Sequence, residues 1–468
     1  MAETRIVTRG GSLRALDDSV VEKLARSLRG PLFRRGDDGY DSARRVWNGM
    51  VDKRPALIAR CAGAADVVTC VRIAREHDVQ ISVRGGGHNY AGKSLCDDGL
   101  VIDLSLLKGI RVDPGRRIAY AQAGLRLGEF DHETQAFGLA TTLGVNTDTG
   151  IAGLTLGGGY GWLAGRYGLA CDNVLSVDLV TTEGELLTAS AGEHHDLYWG
   201  VRGAGANLGI VTAFEYRLHP VGPVLGGMVI YPLSRGRDVL RFFDEFSAGC
   251  PDEVSTACLL LTAPDGTPAV AIAACHSGSL EAGEKALRPV RAIATPIADM
   301  IAPQPYVQMQ TLFDEAWPAG RRYYNKSCIF RRFSEAAIEV LLTYAGAMPT
   351  PLSAIAFQQL HGVAARVAPD ATAFPHRFVH HSCYVHPATD DPAESEKIVR
   401  WGRDCWEALQ PFVEPAVYVN ALEDALEEGA QRVQDAYGPN YTRLAAIKKK
   451  YDPTNMLSSN QNIAGARA

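Results

Sequence analysis

Three side chains with chemistry stand in one glycine-rich run, "RGGGHNYAGKS" at residues 84–94. They are an imidazole that can act as nucleophile or base, and an ammonium and a hydroxyl that suit phosphate oxygens. Gly87 to Ser94 fits the G-x-x-x-x-G-K-S pattern of phosphate loops. In such a loop a strand enters the glycines, and the Lys-Ser pair opens a helix whose N-terminus faces the phosphates. The strand "ISV" is present, but only Leu95 and Cys96 separate Ser94 from the turn "DDG" and the strand "LVIDL". No helix fits there, and Asp103 follows too closely to serve as a magnesium-binding aspartate. A phosphate-loop NTPase is therefore kept only as the alternative from another functional class.

Two further glycine runs repeat the theme. In "LTLGGGYGWLAGRYGLACDN", Gly159, Gly161 and Ala164 satisfy G-x-G-x-x-A. The helix this pattern requires would contain Gly165 and Gly168, each costing ~1 kcal/mol in a helix interior. "GAGANLG" at 203–209 runs into a strand. Three glycine runs without their helices mean that backbone must approach a large, flat or charged ligand at several places.

The elements that would position these runs fall into three regions. Up to about residue 220, short β-branched runs ("ALIARC", "ISVRGG", "LVIDLS", "VDLVTTEGELL", "GIVTAFEYRL") alternate with glycine-rich turns, and "AADVVTCVRIAREHD" has helical spacing with Val67, Val71 and Ala74 on one face. From about 221 to 425 the pattern becomes that of an antiparallel sheet with helices. "ACLLLTAPDGTPAVAIAAC" is a hairpin around Pro-Asp-Gly, "AIAFQQLHGVAARV" and "RFVHHSCYVH" read as strands, and helices are expected from Ser279 and over "DDPAESEKIVRWGRDCWEALQPF". Residues 426–468 carry a helix stopped before Pro453 and then a polar tail.

Composition sets the outer limits. A chain of 468 residues exceeds one ordinary core, so two or more domains are expected. The net charge of −6 is mixed along the chain, with no basic block interleaved with aromatics, which argues against nucleic acid. No stretch approaches the ~20 apolar residues of a membrane span. The N-terminus has no apolar core of a secretory signal, and the 10 cysteines show neither C-x-x-C pairs nor zinc spacing. No metal site and a cytoplasmic protein with free thiols are the expectations. Oligomeric state leaves no trace in the sequence.

Five ordered segments resemble the berberine-bridge-enzyme-like flavoprotein oxidases of the vanillyl-alcohol oxidase / p-cresol methylhydroxylase superfamily. They are "SVRGGGHNYAG", "GLVIDLSLLKGIRVD", "GLTLGGGYGWLAGRYGLACDNVLSVDLVTTEG", "DLYWGVRGAGANLGIVT" and "NYTRLAAIKKKYDPTNMLSSNQNI". The resemblance implies an α+β fold: a two-subdomain FAD-binding domain of the p-cresol methylhydroxylase type (1–220, core about 50–220), an antiparallel-sheet substrate domain flanked by helices (221–425), and a C-terminal segment (426–468) returning to the FAD domain. It implies an FAD-dependent oxidase of secondary metabolism, acting on an alcohol or amine carbon of a medium-sized small-molecule substrate by hydride transfer, with molecular oxygen reduced to hydrogen peroxide. A dehydrogenase of the same fold, using another acceptor, is the close alternative.

The resemblance also implies site residues. Arg84, Gly85, Gly86, Gly87, His88, Asn89 and Tyr90 would wrap the pyrophosphate, and His88 would be bonded to the flavin 8α carbon; neutral imidazole is nucleophilic near pH 7. Thr149, Gly150, Gly153, Leu154, Gly158 and Gly161 would follow the cofactor, Ile210 and Val211 would receive its adenine end, and Asn460, Gln461 and Asn462 its pyrimidine edge. Many relatives add a cysteinyl tether in G-x-C-x-x-V-G. Here Gly144 to Gly150 reads G-V-N-T-D-T-G, so Asn146 stands at that position and a single bond through His88 is expected. Thr149 takes the place of a small side chain that influences oxygen access. Tyr441 matches a C-terminal tyrosine found near the flavin in relatives and is a candidate base. On "AFQQLHGVA" alternation leaves one set facing the flavin, from which Gln359 and His361 are nominated, with Tyr418 from "VYVNAL". His380 and His381 read as opposite faces of one strand.

Overall fold

A computed structural model of the chain describes residues 4–423 and 429–463. The boundary expected at 425/426 lies outside the described residues.

The N-terminal half builds two sheets on one core. The first orders Leu32–Arg34, Leu57–Arg60, Leu100–Asp103 and Ile81–Arg84, its last three strands running parallel. The helix Ala64–Glu76 makes the first parallel crossover and buries Val67, Val71 and Ala74. The second crossover, from Ile81–Arg84 to its parallel neighbour Leu100–Asp103, has no helix. The glycine run 85–94 makes it as an irregular loop, which removes the phosphate-loop reading. The second sheet is antiparallel, in the order Leu186–Ser190, Val174–Val180, Ile210–Arg217, Ile118–Gln122 and Ile110–Asp113. Leu444, Ile447, Met456 and Ile463 from the C-terminal segment enter the same core.

The middle of the chain forms an eight-stranded antiparallel sheet with the central order Val224–Pro232, Pro268–His276, Val254–Thr262, Ala354–Leu360, His380–His386 and Lys326–Phe330. Its hairpin turns at Gly266, where φ is +86°. The helices Gly236–Gly249, Leu280–Arg291 and Glu335–Gly346 contribute to the core on one face, and Ser395–Leu409 joins them. The other face packs on the N-terminal half through Trp162, Leu163 and Tyr160. Both faces are therefore covered, and alternate residues divide cleanly: Cys258 and Leu260 turn to the helices, Ala257 and Leu259 to the opposite core. The stretch expected as one strand, "AIAFQQLHGVAARV", stops at Leu360. Gly362, with φ +59° and no room for a Cβ against the Gly165 carbonyl, turns the chain into the short helix Gly362–Arg366.

Candidate active site

Between the two halves lies a cleft of about 380 Å³, within the range of roughly 300–1,000 Å³ usual for small-molecule sites. Its N-terminal wall is main chain. Gly85, Gly86, Gly87, His88, Asn89 and Tyr90 line it, and the second glycine segment meets them at Gly150. A Cβ on Gly86 would lie 2.4 Å from the Gly150 nitrogen, and one on Gly150 equally close to the Gly86 nitrogen. Only glycine allows that approach. Thr149, Gly153 and Leu154 continue the wall, and Ile210 and Val211 line it farther along.

The C-terminal tail contributes amides. Gln461 donates through Nε2 to the Leu422 and Glu423 carbonyls, at 3.0 and 3.1 Å, and keeps a buried Oε1 without a partner. Asn460 is anchored in the same way on Ala206 and Leu457, its Oδ1 also unpartnered. Four expected contacts do not line the cleft. Arg84 turns its guanidinium onto the Ala43 carbonyl, Gly158 packs against Phe374, Gly161 fits against the Leu143 carbonyl, and Asn462 stands off the cleft.

His88 is fixed rather than free. Its ring stacks on Trp47 at 4.2 Å, and Trp47 stacks in turn on Tyr323 at 4.0 Å. Burial lowers its pKa to about 4, so the imidazole is neutral, and its buried Nε2 has no hydrogen-bond partner. Asn146 also lines the cleft, and none of the ten cysteines does. Glycine loops admitting main chain, an unpartnered nucleophilic nitrogen and unpartnered amide oxygens together fit a bound FAD.

The opposite wall is made of side chains from alternate strand positions. Ala257 and Leu259 come from one strand, Ala356 and Gln358 from the next, Tyr384 and His386 from the third. The nominations on "AFQQL" fall one residue out of step. Gln359 faces the helices, its Oε1 2.7 Å from Thr256 Oγ1 and its Nε2 on the Ser247 carbonyl. His361 is buried with Nε2 2.7 Å from the Val254 carbonyl, away from the cleft. Gln358 is the residue that faces it, accepting from Tyr384 at 3.1 Å. Tyr441 is likewise absent from the cleft: it is partly buried against the core of the N-terminal half, so it packs the last helix in place.

Tyr418 does line the cleft. Its hydroxyl oxygen accepts from the Gly159 N–H at 3.1 Å and from Asn420 Nδ2 at 2.8 Å, which leaves its own hydrogen to donate into the cleft. Tyr160, Trp47, Trp317 and His386 line it too and were not named from sequence. Tyr160 stood inside a quoted glycine run; the two tryptophans sit in no pattern that marks them. No Asp, Glu or Arg lines the cleft among the described residues.

Comparison with known proteins agrees with this geometry. Residues 55–190 match the family model described as an FAD binding domain, and 417–464 the model described as berberine and berberine like. An FAD-linked oxidoreductase of Dictyostelium discoideum is 32% identical over 449 residues, 95% of this chain and 96% of its own. The (R)-6-hydroxynicotine oxidase of Paenarthrobacter nicotinovorans is 30% identical, covering 93% of this chain and 97% of its own. Among solved structures, 6-hydroxy-D-nicotine oxidase from Arthrobacter nicotinovorans superposes with a TM-score of 0.86 at 28% identity, over 94% of this chain and 98% of its own. No described helix is long and apolar enough to cross a membrane.

Proposed function

The chain belongs to the berberine-bridge-enzyme-like family of FAD-linked oxidoreductases, and from that premise we propose that it is an oxidase carrying FAD on a single bond at His88. Its substrate is a medium-sized metabolite oxidised at an alcohol or amine carbon. The observation that carries the reading is the His88 Nε2: neutral, buried, unpartnered and on the cleft beside the glycine wall. When bound, FAD supplies the hydride acceptor and, with molecular oxygen, releases hydrogen peroxide.

The protein's part is position, dryness and proton handling. The loops at Gly85–Tyr90 and Thr149–Leu154, with Ile210 and Val211, hold the cofactor through main chain, and Gln461 and Asn460 offer amide oxygens to its donors. Gln358, with its oxygen engaged by Tyr384, presents its amide hydrogens to a substrate acceptor. Tyr418 is the catalytic residue retained from the sequence, orienting the reacting heteroatom through its O–H.

A dehydrogenase is the second reading, favoured by Thr149, whose branched side chain lines the cleft at the position where the family resemblance implies a smaller one. A panel of alcohols and amines, followed by oxygen electrode and peroxide assay, separates the two. Peroxide released in step with oxygen consumption supports the oxidase. Turnover seen only with an artificial acceptor contradicts it.

A further inference from the structure

His380 and His381 are neighbours on the strand His380–His386 and face opposite ways. His381 lies on the helical side, Nε2 3.4 Å from Asp244 Oδ1. His380 lies on the cleft side, fully buried, and both its ring nitrogens are engaged: Nδ1 stands 2.7 Å from the Phe378 carbonyl and Nε2 3.0 Å from the Tyr160 hydroxyl. A carbonyl only accepts, so Nδ1 carries the hydrogen. A neutral imidazole has one N–H, so Nε2 offers a lone pair and Tyr160 is the donor. Burial holds His380 at a pKa of about 3, so it is neutral.

This tautomer distinguishes two tyrosines on the cleft. Tyr418 has donors on its oxygen and a hydrogen to give. Tyr160 has its hydrogen committed to His380, which leaves its oxygen as an acceptor. Their rings meet edge to face at 4.6 Å, so a donor phenol and an acceptor phenol stand side by side.

We propose that Tyr160 and His380 form a proton relay that draws the substrate's O–H or N–H proton out of the cleft, an inference that rests on the oxidase reading above. The substrate's O–H or N–H bond breaks and its proton joins the Tyr160 oxygen. The Tyr160 O–H bond breaks and that proton joins His380 Nε2, while Nδ1–H stays on the Phe378 carbonyl. The bonding pair stays on the substrate heteroatom; two protons each move one place, His380 gains one net, and the two electrons of the oxidation would leave the adjacent carbon as hydride, for which bound FAD would be the acceptor. Tyr160 is the catalytic residue and His380 the positioning residue behind it. Burial raises the Tyr160 phenol and lowers His380, so both are neutral at rest and the proton moves only as hydride leaves the adjacent carbon.

The groups facing the pair are His376, His381 and Arg331 around His380, and Tyr418, Tyr384, Cys171, Ser382 and Arg377 around Tyr160. Burial lowers both histidines and raises the phenols and the thiol. His380, at about 3, and His376, at about 4, stay neutral at and above neutral pH, so the relay itself does not titrate there.

The test uses holoenzyme labelled with ¹⁵N-histidine, alone and as Tyr160→Phe, and stopped-flow flavin reduction of wild type and His380→Gln with (R)-6-hydroxynicotine as probe. Glutamine can accept the Tyr160 hydrogen but does not take the proton. The relay predicts an unprotonated His380 Nε2 whose shift moves in Tyr160→Phe. It also predicts ~10²-fold slower reduction in His380→Gln at unchanged flavin content, with a rate that climbs with pH where wild type is flat. A protonated Nε2, or His380→Gln reducing at the wild-type rate with a flat profile, overturns it. If His380→Gln does not fold, or the probe leaves wild-type flavin oxidised, the wild-type tautomer decides the relay alone; the second outcome counts against the oxidase reading for that amine.

Discussion

The two walls of the cleft are made of different material. The N-terminal wall presents main chain, closed at its centre by Gly86 and Gly150, whose mutual approach leaves no space for a Cβ. The wall from the large sheet presents side chains at every second strand position, backed by a helical layer. A wall of main chain can grip a large cofactor common to many relatives, yet it tolerates almost no change at its contact points. A wall of alternating side chains can be re-cut for a new substrate without disturbing the sheet, because the other face keeps the fold.

Substitutions can break that contrast in order of expected effect. Gly150→Ala drives a Cβ into the Gly86 backbone, so the purified protein should carry essentially no flavin by its 450 nm absorbance. Gly192→Ala, off the cleft, meets nothing within 4 Å and should keep its flavin. On the catalytic side, Tyr418→Phe should slow flavin reduction by ~10²-fold in stopped flow, while Tyr441→Phe, off the cleft, should leave it unchanged.

Adjacent glutamines then test the two faces of the sheet. Gln358→Ala should raise KM or shift substrate preference with little change in Tm. Gln359→Ala should leave KM alone and destabilise by ~1–3 kcal/mol in denaturant melts, since it strands the Ser247 carbonyl and Thr256 in a buried layer.

The smallest effect sits at the joint between the walls. Asp131, on the helix Leu127–Gln135, bonds Gln310 of the helix Tyr306–Gln310 at 2.8 Å, and burial raises its pKa to about 7. A raised folded pKa gives stability that is full below the unfolded value of about 3.9 and is lost as pH rises through about 7. Asp131→Asn does not titrate, so its Tm relative to wild type should rise between pH 5 and pH 8.

What the sequence disclosed follows the same division. The glycine wall was readable because a close backbone approach demands glycine by type, and His88 because it sits inside that demand. The hairpin at Pro-Asp-Gly and the helix over 64–76 were readable from turn chemistry and apolar spacing. Gln359 was misplaced because both faces of its strand are covered, so alternation there carries no sign of which face is the cleft, and His361 because the strand ends before it, at Leu360. Tyr441 was misplaced because a half-buried tyrosine packing a helix looks, in one dimension, like one lining a site. Trp47 escaped notice because its role, clamping His88, depends on a stack with Tyr323 from far along the chain. The relay at His380 was hidden for a related reason: its partners are a carbonyl and a distant phenol, which no spacing announces.

The most direct measurement is acid precipitation of the purified protein and of His88→Ala, with visible spectra of pellet and supernatant and mapping of any flavin-bearing peptide. The account predicts a yellow wild-type pellet with flavin on the peptide containing His88, and a colourless His88→Ala pellet under a yellow supernatant. Flavin that stays in the His88→Ala pellet, or wild-type flavin that leaves with the supernatant, would contradict it.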